Sequence, residues 1–280
     1  MIRNLEIPRY SEGLRSRTGK LVQWQSTLER PFAAGSSAEG DTHSGRAGAT
    51  LVTHASFGLH MAFDFLGSLG ESSVSAKDWS ASVLTRAVMF NAVHILWLVG
   101  PAEPLVRQRR GAIDAYEELK NAVRLDASNT ANSPTKGTPT IDLDKRKAWL
   151  EREYVRLDIS TDSAGKPTGV ASLDVTHFLD KEAGSYFTAD STEQMIASSL
   201  SFAWRILAGI DHGYYTGARE ASGRFSTDIE SSVVGIQASL LEPPNSSHIE
   251  LTLLLYSVAL ERLAAYLGCE DEAVLNRDDW

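Results

Sequence analysis

A chain of 280 residues, 42% hydrophobic and 22% charged, has the balance of a globular protein and is long enough to bury a substantial core. Its 27 basic and 36 acidic residues leave a net charge of −9, which repels a nucleic-acid backbone at long range and excludes non-specific coating of DNA or RNA. Cys269 is the only cysteine, which excludes an intramolecular disulfide and a thiolate-rich zinc site and suits a reducing cytoplasm, the expected location.

In chain order, residues 1–47 read as a flexible N-terminal arm. The opening MIRNLEIPRYSEGLRSR has no apolar core and is no secretory signal, and Gly35, Gly40, Gly45 and Gly48 punctuate the end of the arm. From about Ala49 the period becomes helical: Leu51, Ala55, Leu59, Ala62 and Leu66 step by three and four residues, predicting a helix to about Leu69. A second helix is predicted over 76–99. Its most apolar run, Ala87–Val99, is interrupted by Asn91 and His94 and is too short to span a bilayer, so a core helix is expected and a membrane is not. Gly100-Pro101 ends it, because Pro101 disfavours helical geometry in the residue before it, and Pro104 suits the first turn of a third helix reaching about 125.

Residues 127–140 (ASNTANSPTKGTPT) read as a polar linker. Short helices are expected over 143–157 and 172–181, separated by a loop at 160–171 that contains Gly165, Pro167 and Gly169. Ser191-Thr192-Glu193-Gln194 matches a capping box and opens a helix that Gly213 closes. Residues 224–241 are rich in β-branched side chains and allow a hairpin or a distorted helix. A second capping box, Ser247 to Glu250, opens a helix over about 248–267. The inventory predicts an all-α multi-helix bundle with long polar loops and at most a short β-hairpin. It is organised as one helical domain over 48–268, followed by an acidic tail, 269–280.

Within the helix that follows Ser191, Arg205 and His212 are seven residues apart. Both therefore leave one helical face, roughly 10 Å apart along the axis. Phe202, Trp204 and Ile206 flank that row, so most of the helix is apolar, and such a helix is buried or meets a second surface. The row then lines a pocket or subunit interface, with Asp211 beside it as a third candidate catalytic residue. The same row also suits an ordinary polar network. Arg86 and His94 sit in the apolar second helix. Arg86 is expected to be buried and paired as a structural tie, because an unpaired buried charge costs several kcal/mol. The functional alternative is that Arg86 and His94 share a pocket with His212 and bind a phosphate or carboxylate.

His60 and Asp64 are four apart on one helical face, with His54 further back. No further ligand motif completes a metal shell, so a hydrogen bond is the expected role and no metal is assigned. Dinucleotide, phosphate-loop and nucleophile-elbow motifs are missing from the sequence, and no cofactor is assigned. Glu117-Glu118 and the cluster Arg107, Arg109 and Arg110 read as solvated charge on an amphipathic helix.

An arginine followed by a histidine late in a helix, as at Arg205 and His212, resembles the signature of the HEPN superfamily. Many of its members are metal-independent RNA endonucleases of toxin–antitoxin and antiphage systems. Members often carry Asn, Asp or His directly after the arginine; here Ile206 stands there. The resemblance implies that His212 acts as general acid or base at a ribose 2′-hydroxyl and that Arg205 stabilises the phosphate, in a site built across a homodimer. A broader stretch, RAVMFNAVHILWLVGP at Arg86–Pro101 followed by the arginine-rich helix and WRILAGIDHG, resembles a group of helical proteins common in actinobacteria. That likeness implies one continuous domain and no particular activity. The two readings carried forward are a helical module binding a partner protein or small ligand, and alternatively an RNA endonuclease.

Overall fold

The three- and four-residue apolar steps become a stack of helices. The computed structural model describes residues 32–72, 80–132, 143–187, 199–208 and 246–269, together with Ser16 and Gly19. In chain order these residues form α1 (Ser37–Ser44), α2 (Arg46–Ser72), α3 (Ser80–Val99), α4 (Pro104–Asn132) and α5 (Leu143–Arg156). The strands β1 (Ser160–Thr161) and β2 (Pro167–Thr168) follow, then α6 (Val175–Lys181) and a 3-10 turn at Ala183–Tyr186. A helical segment at residues 199–208, α7, and a last helix, α8 (Ser246–Leu267), complete the described chain. The fold is all-α. Among the described residues the one sheet is a two-stranded antiparallel hairpin pairing Ser160 with Thr168 and Thr161 with Pro167. That hairpin occupies a stretch expected to be a loop, whereas the candidate hairpin at 224–241 lies outside the described residues.

α3 is the central element, packed between α2 and α8 and reaching α4 and α6. Val88, Met89, Ala92, Val93, Ile95, Leu96 and Leu98 are buried on it, against Leu59, Leu66, Leu253, Tyr256 and Leu260. Each fully buried aliphatic side chain of this kind contributes about 1.5–3 kcal/mol relative to exposure. Ala81–Val99 is also long and apolar enough to cross a membrane, a longer span than the run recognised in the sequence; 67% of its most apolar window is buried inside the fold. A second, smaller core joins Ala112, Ala115 and Leu119 of α4 to Trp149, Leu150 and Tyr154 of α5.

Three expectations change. The arm expected over 1–47 has structure at its end: α1 docks on the bundle with Ala38 and Asp41 buried, and Ala33 N–H donates to the Leu267 carbonyl at 2.8 Å. Residues 127–132, assigned to a linker, continue α4. The arginine cluster is no solvated patch. Arg107 is buried, donating to Asp41 Oδ2 at 2.7 Å and to the carbonyls of Pro101 and Ala102. Arg109 donates to the Leu157 carbonyl after α5, and Arg110 to the Trp97 carbonyl at the end of α3 and to Glu182. The start of α4 thus satisfies carbonyls at and just beyond the ends of α3 and α5, which accounts for three arginines in one turn.

Asp41 is the anchor that the sequence did not reveal. Its carboxylate also accepts from Gln108 Nε2 at 3.2 Å and from the Tyr266 hydroxyl at 3.1 Å, so α1, α4 and α8 meet at one buried group. Burial and the neighbouring Asp41 charge push the Tyr266 hydroxyl well above the usual tyrosine range.

Candidate functional site

The side of α2 that faces α4 carries Arg46, Thr50, Thr53, His54 and Phe57, spaced by three and four residues. Together with parts of α3, α4 and α5 they line an open cavity of about 870 Å³. α3 contributes Phe90, His94 and Trp97; α4 contributes Asp114, Glu117, Glu118 and Lys120; α5 contributes Arg146 and Trp149. The volume is ample for a small organic molecule.

At the centre, one carboxylate takes two imidazoles. His54 Nδ1 lies 2.6 Å from Asp114 Oδ2 and His94 Nε2 lies 3.0 Å from Asp114 Oδ1. The second nitrogen of His54 lies 3.1 Å from Glu118 Oε2, and Glu118 Oε1 accepts from Arg146 at 3.0 Å. Since both ring nitrogens of His54 face carboxylates, both act as donors and the ring is an imidazolium. Burial lowers its pKa, but the bonds and charges of Asp114 and Glu118 outweigh burial and hold it above the ordinary histidine value. Burial likewise pushes Asp114 up, and its two histidine partners hold it well below the usual carboxylate range. Asp114 is therefore ionised near neutral pH. His94 is clamped along its helix between the rings of Phe90 and Trp97, with centroids 6.0 and 6.3 Å away.

The ring nitrogens point at carboxylate oxygens at proton-sharing distance, which leaves no gap for a cation between them. Among the described residues no group of histidine, cysteine and carboxylates is arranged to hold a metal. His60 and Asp64 lie on the exposed side of α2. What the central cluster does is fix charge and ring orientation under a cavity whose far wall is aromatic.

The predicted site residues separate. His94 is in the cavity. Arg86, on the same helix, lines an adjoining recess of about 420 Å³ with Met61, Phe65 and Trp204, divided from the first by the shared side chains of Phe57 and Phe90. Arg86, expected to be largely buried, is half-buried, and its guanidinium carbon lies 4.7 Å from the centre of the Trp204 ring. That distance is a cation–π contact. Arg205 is exposed (59%) and donates to Asp180 at 2.9 Å. Asp211 and His212 lie outside the described residues.

Sequence reasoning missed Asp114, Glu118, Arg146 and Arg46, and it treated His54 as an afterthought to His60. Two signals were present: Asp114 and Glu118 are four apart on one helical face, and Arg46, Thr50, His54 and Phe57 form a polar-to-aromatic stripe. The chain matches no protein-family model, no curated protein and no solved structure.

Proposed function

We propose that the chain is a ligand-binding helical module whose ligand is a small organic molecule seated between α2, α3, α4 and α5. The observation that carries this reading is the open cavity of about 870 Å³ with a preformed His54–Asp114–His94 floor and exposed Phe57 and Phe90 on its wall. Concave sites of this size, mostly apolar with a few fixed polar groups, are where small molecules bind. The test is a small-molecule screen by thermal shift on the full chain, repeated on Thr53→Trp. Thr53 is exposed at the cavity, and its hydroxyl donates to the Ala49 carbonyl of its own helix, so the indole obstructs the cavity while sparing the core. Hits that stabilise the wild type and lose their effect in the variant support the reading; hits equally effective in both oppose it.

A metal-independent RNA endonuclease is the second reading. It is favoured by the exposure of Arg205 (59%) and of Phe202 (57%) three residues before it, a cation and an aromatic ring available to a second copy of the chain or to RNA. The full chain incubated with single-stranded RNA in EDTA would yield cyclic-phosphate ends, and His212→Ala would abolish the cutting. Equal cutting by wild type and variant would mark a contaminant and remove this reading.

A further inference from the structure

The charges around the cavity do not cancel. Arg46, Lys120, Arg146 and the doubly bonded His54 give four cations, against three anions in Asp114, Glu117 and Glu118. Three of the cations are matched in pairs: Lys120 with Glu117, Arg146 with Glu118, and His54 with Asp114. His94 donates to Asp114 and needs no charge to do so. The remainder is Arg46. Its guanidinium carbon lies 5.0 Å from the centre of the Trp149 ring, the residue is exposed, and among the described residues it forms no ion pair with a carboxylate.

Arg46 is the first residue of α2, and Phe57 is eleven residues further along the same helix, about 16 Å by the helical rise. At the Phe57 end, two rings are held open to solvent, Phe57 (63% exposed) and Phe90 (43%). The cavity therefore has a cationic planar fork at one end, lying over an indole, and greasy rings at the other. A guanidinium is a planar fork of N–H donors, suited to two-pronged contact with a carboxylate.

We propose that the ligand is a carboxylate-headed amphiphile, a monoanion whose head meets Arg46 and whose apolar body lies along α2 to Phe57 and Phe90. This rests on the cavity being the binding site. Charge complementarity selects a single negative charge, because a dianion would overfill the excess and a cation would meet Arg46 directly. An extended ten-carbon chain fits comfortably within the distance from Arg46 to Phe57.

Isothermal titration of the full chain with decanoate, decyltrimethylammonium and 1,2-decanediol, all below micelle formation, tests the charge rule at constant chain length. Decanoate should bind tightest, and Arg46→Gln should weaken it about tenfold while leaving the diol unchanged, the loss expected for one charge-assisted contact. Arg46→Lys should recover part of the affinity, since charge returns without the planar fork. Circular dichroism of each variant verifies folding, which an exposed side chain should not disturb. Equal binding of the three probes, or an unaltered decanoate affinity in Arg46→Gln, overturns the monoanion proposal while leaving the cavity reading intact. Decanoate binding that survives Thr53→Trp at full strength overturns both, because the molecule then sits elsewhere.

Discussion

His54 of α2 and Asp114 of α4 are sixty residues apart and share a hydrogen bond of 2.6 Å, with Asp114 reaching on to His94 of α3. One carboxylate therefore ties three helices where they wall a cavity. Asp114→Asn removes the negative charge and turns an NH2 toward one imidazole. With Asp114 only 18% exposed, the loss should be about 1–3 kcal/mol in urea unfolding, below the cost of breaking a fully buried pair. NMR titration should find the His54 pKa lower in the variant. An unchanged His54 pKa would show that Glu118 alone sets its charge.

The cluster also fixes a pH window. His54 has a raised pKa in the folded state, so its contribution is fully present below the unfolded value of 6.5 and is lost as pH rises through the folded pKa. Asp114 has a lowered pKa, so its contribution is present above about pH 4 and is lost as pH falls through the folded value. His248, buried at the start of α8, runs opposite to His54. Burial lowers its pKa, so its neutral form favours folding above 6.5, and stability falls as pH drops below that. Urea midpoints between pH 5 and 9 should separate them. His54→Gln should remove the decline above 6.5, and His248→Gln should remove the decline below it; a curve unaltered by either change would contradict these assignments.

The fold was legible where periodicity is decisive, and the site was not. Leu51, Ala55, Leu59, Ala62 and Leu66 are all buried, and α3 ends at Val99, before Gly100-Pro101. Such signals lie within one helix. His54, His94 and Asp114 belong to three helices, and only the packing of α2, α3 and α4 brings them together; no spacing encodes that. For Asp41 the polar, glycine-dotted sequence around it suggested a loose arm. Its partners Arg107, Gln108 and Tyr266 lie 66, 67 and 225 residues away. Arg86 was legible in part: an arginine in an apolar helix implied a largely buried side chain, and it is half-buried, but no spacing encodes the Trp204 ring that its guanidinium reaches beside a surface recess.

Arg107, buried and bonded to Asp41, should carry the largest energetic role among these arginines. Arg107→Ala leaves the Asp41 carboxylate buried beside Tyr266 with its main cation gone and should cost about 3–5 kcal/mol in denaturant unfolding. Arg86→Ala loses a cation–π contact at a less buried position and should cost less than Arg107→Ala. Arg205→Ala breaks an exposed pair with Asp180 and should change stability by less than about 1 kcal/mol. A larger loss in Arg86→Ala than in Arg107→Ala would reverse the assignment.

Two glycines of α2 make opposite predictions from the same substitution. A Cβ on Gly48 would lie 1.9 Å from the carbonyl oxygen of Asp41, where α1 turns into α2, so backbone has to move. Gly48→Ala should destabilise by about 1–3 kcal/mol or more, the usual cost of overpacking, because the shift disturbs the Asp41 anchor. At Gly67 a Cβ meets nothing within 4 Å, and the position is an exposed helix interior. Gly67→Ala should stabilise by about 0.5–1 kcal/mol, since alanine loses less backbone entropy on entering the helix. Thermal melts of the two variants should therefore move in opposite directions from the wild type. Gly48→Ala melting at or above the wild-type temperature would mean that α1 does not dock against α2 as described.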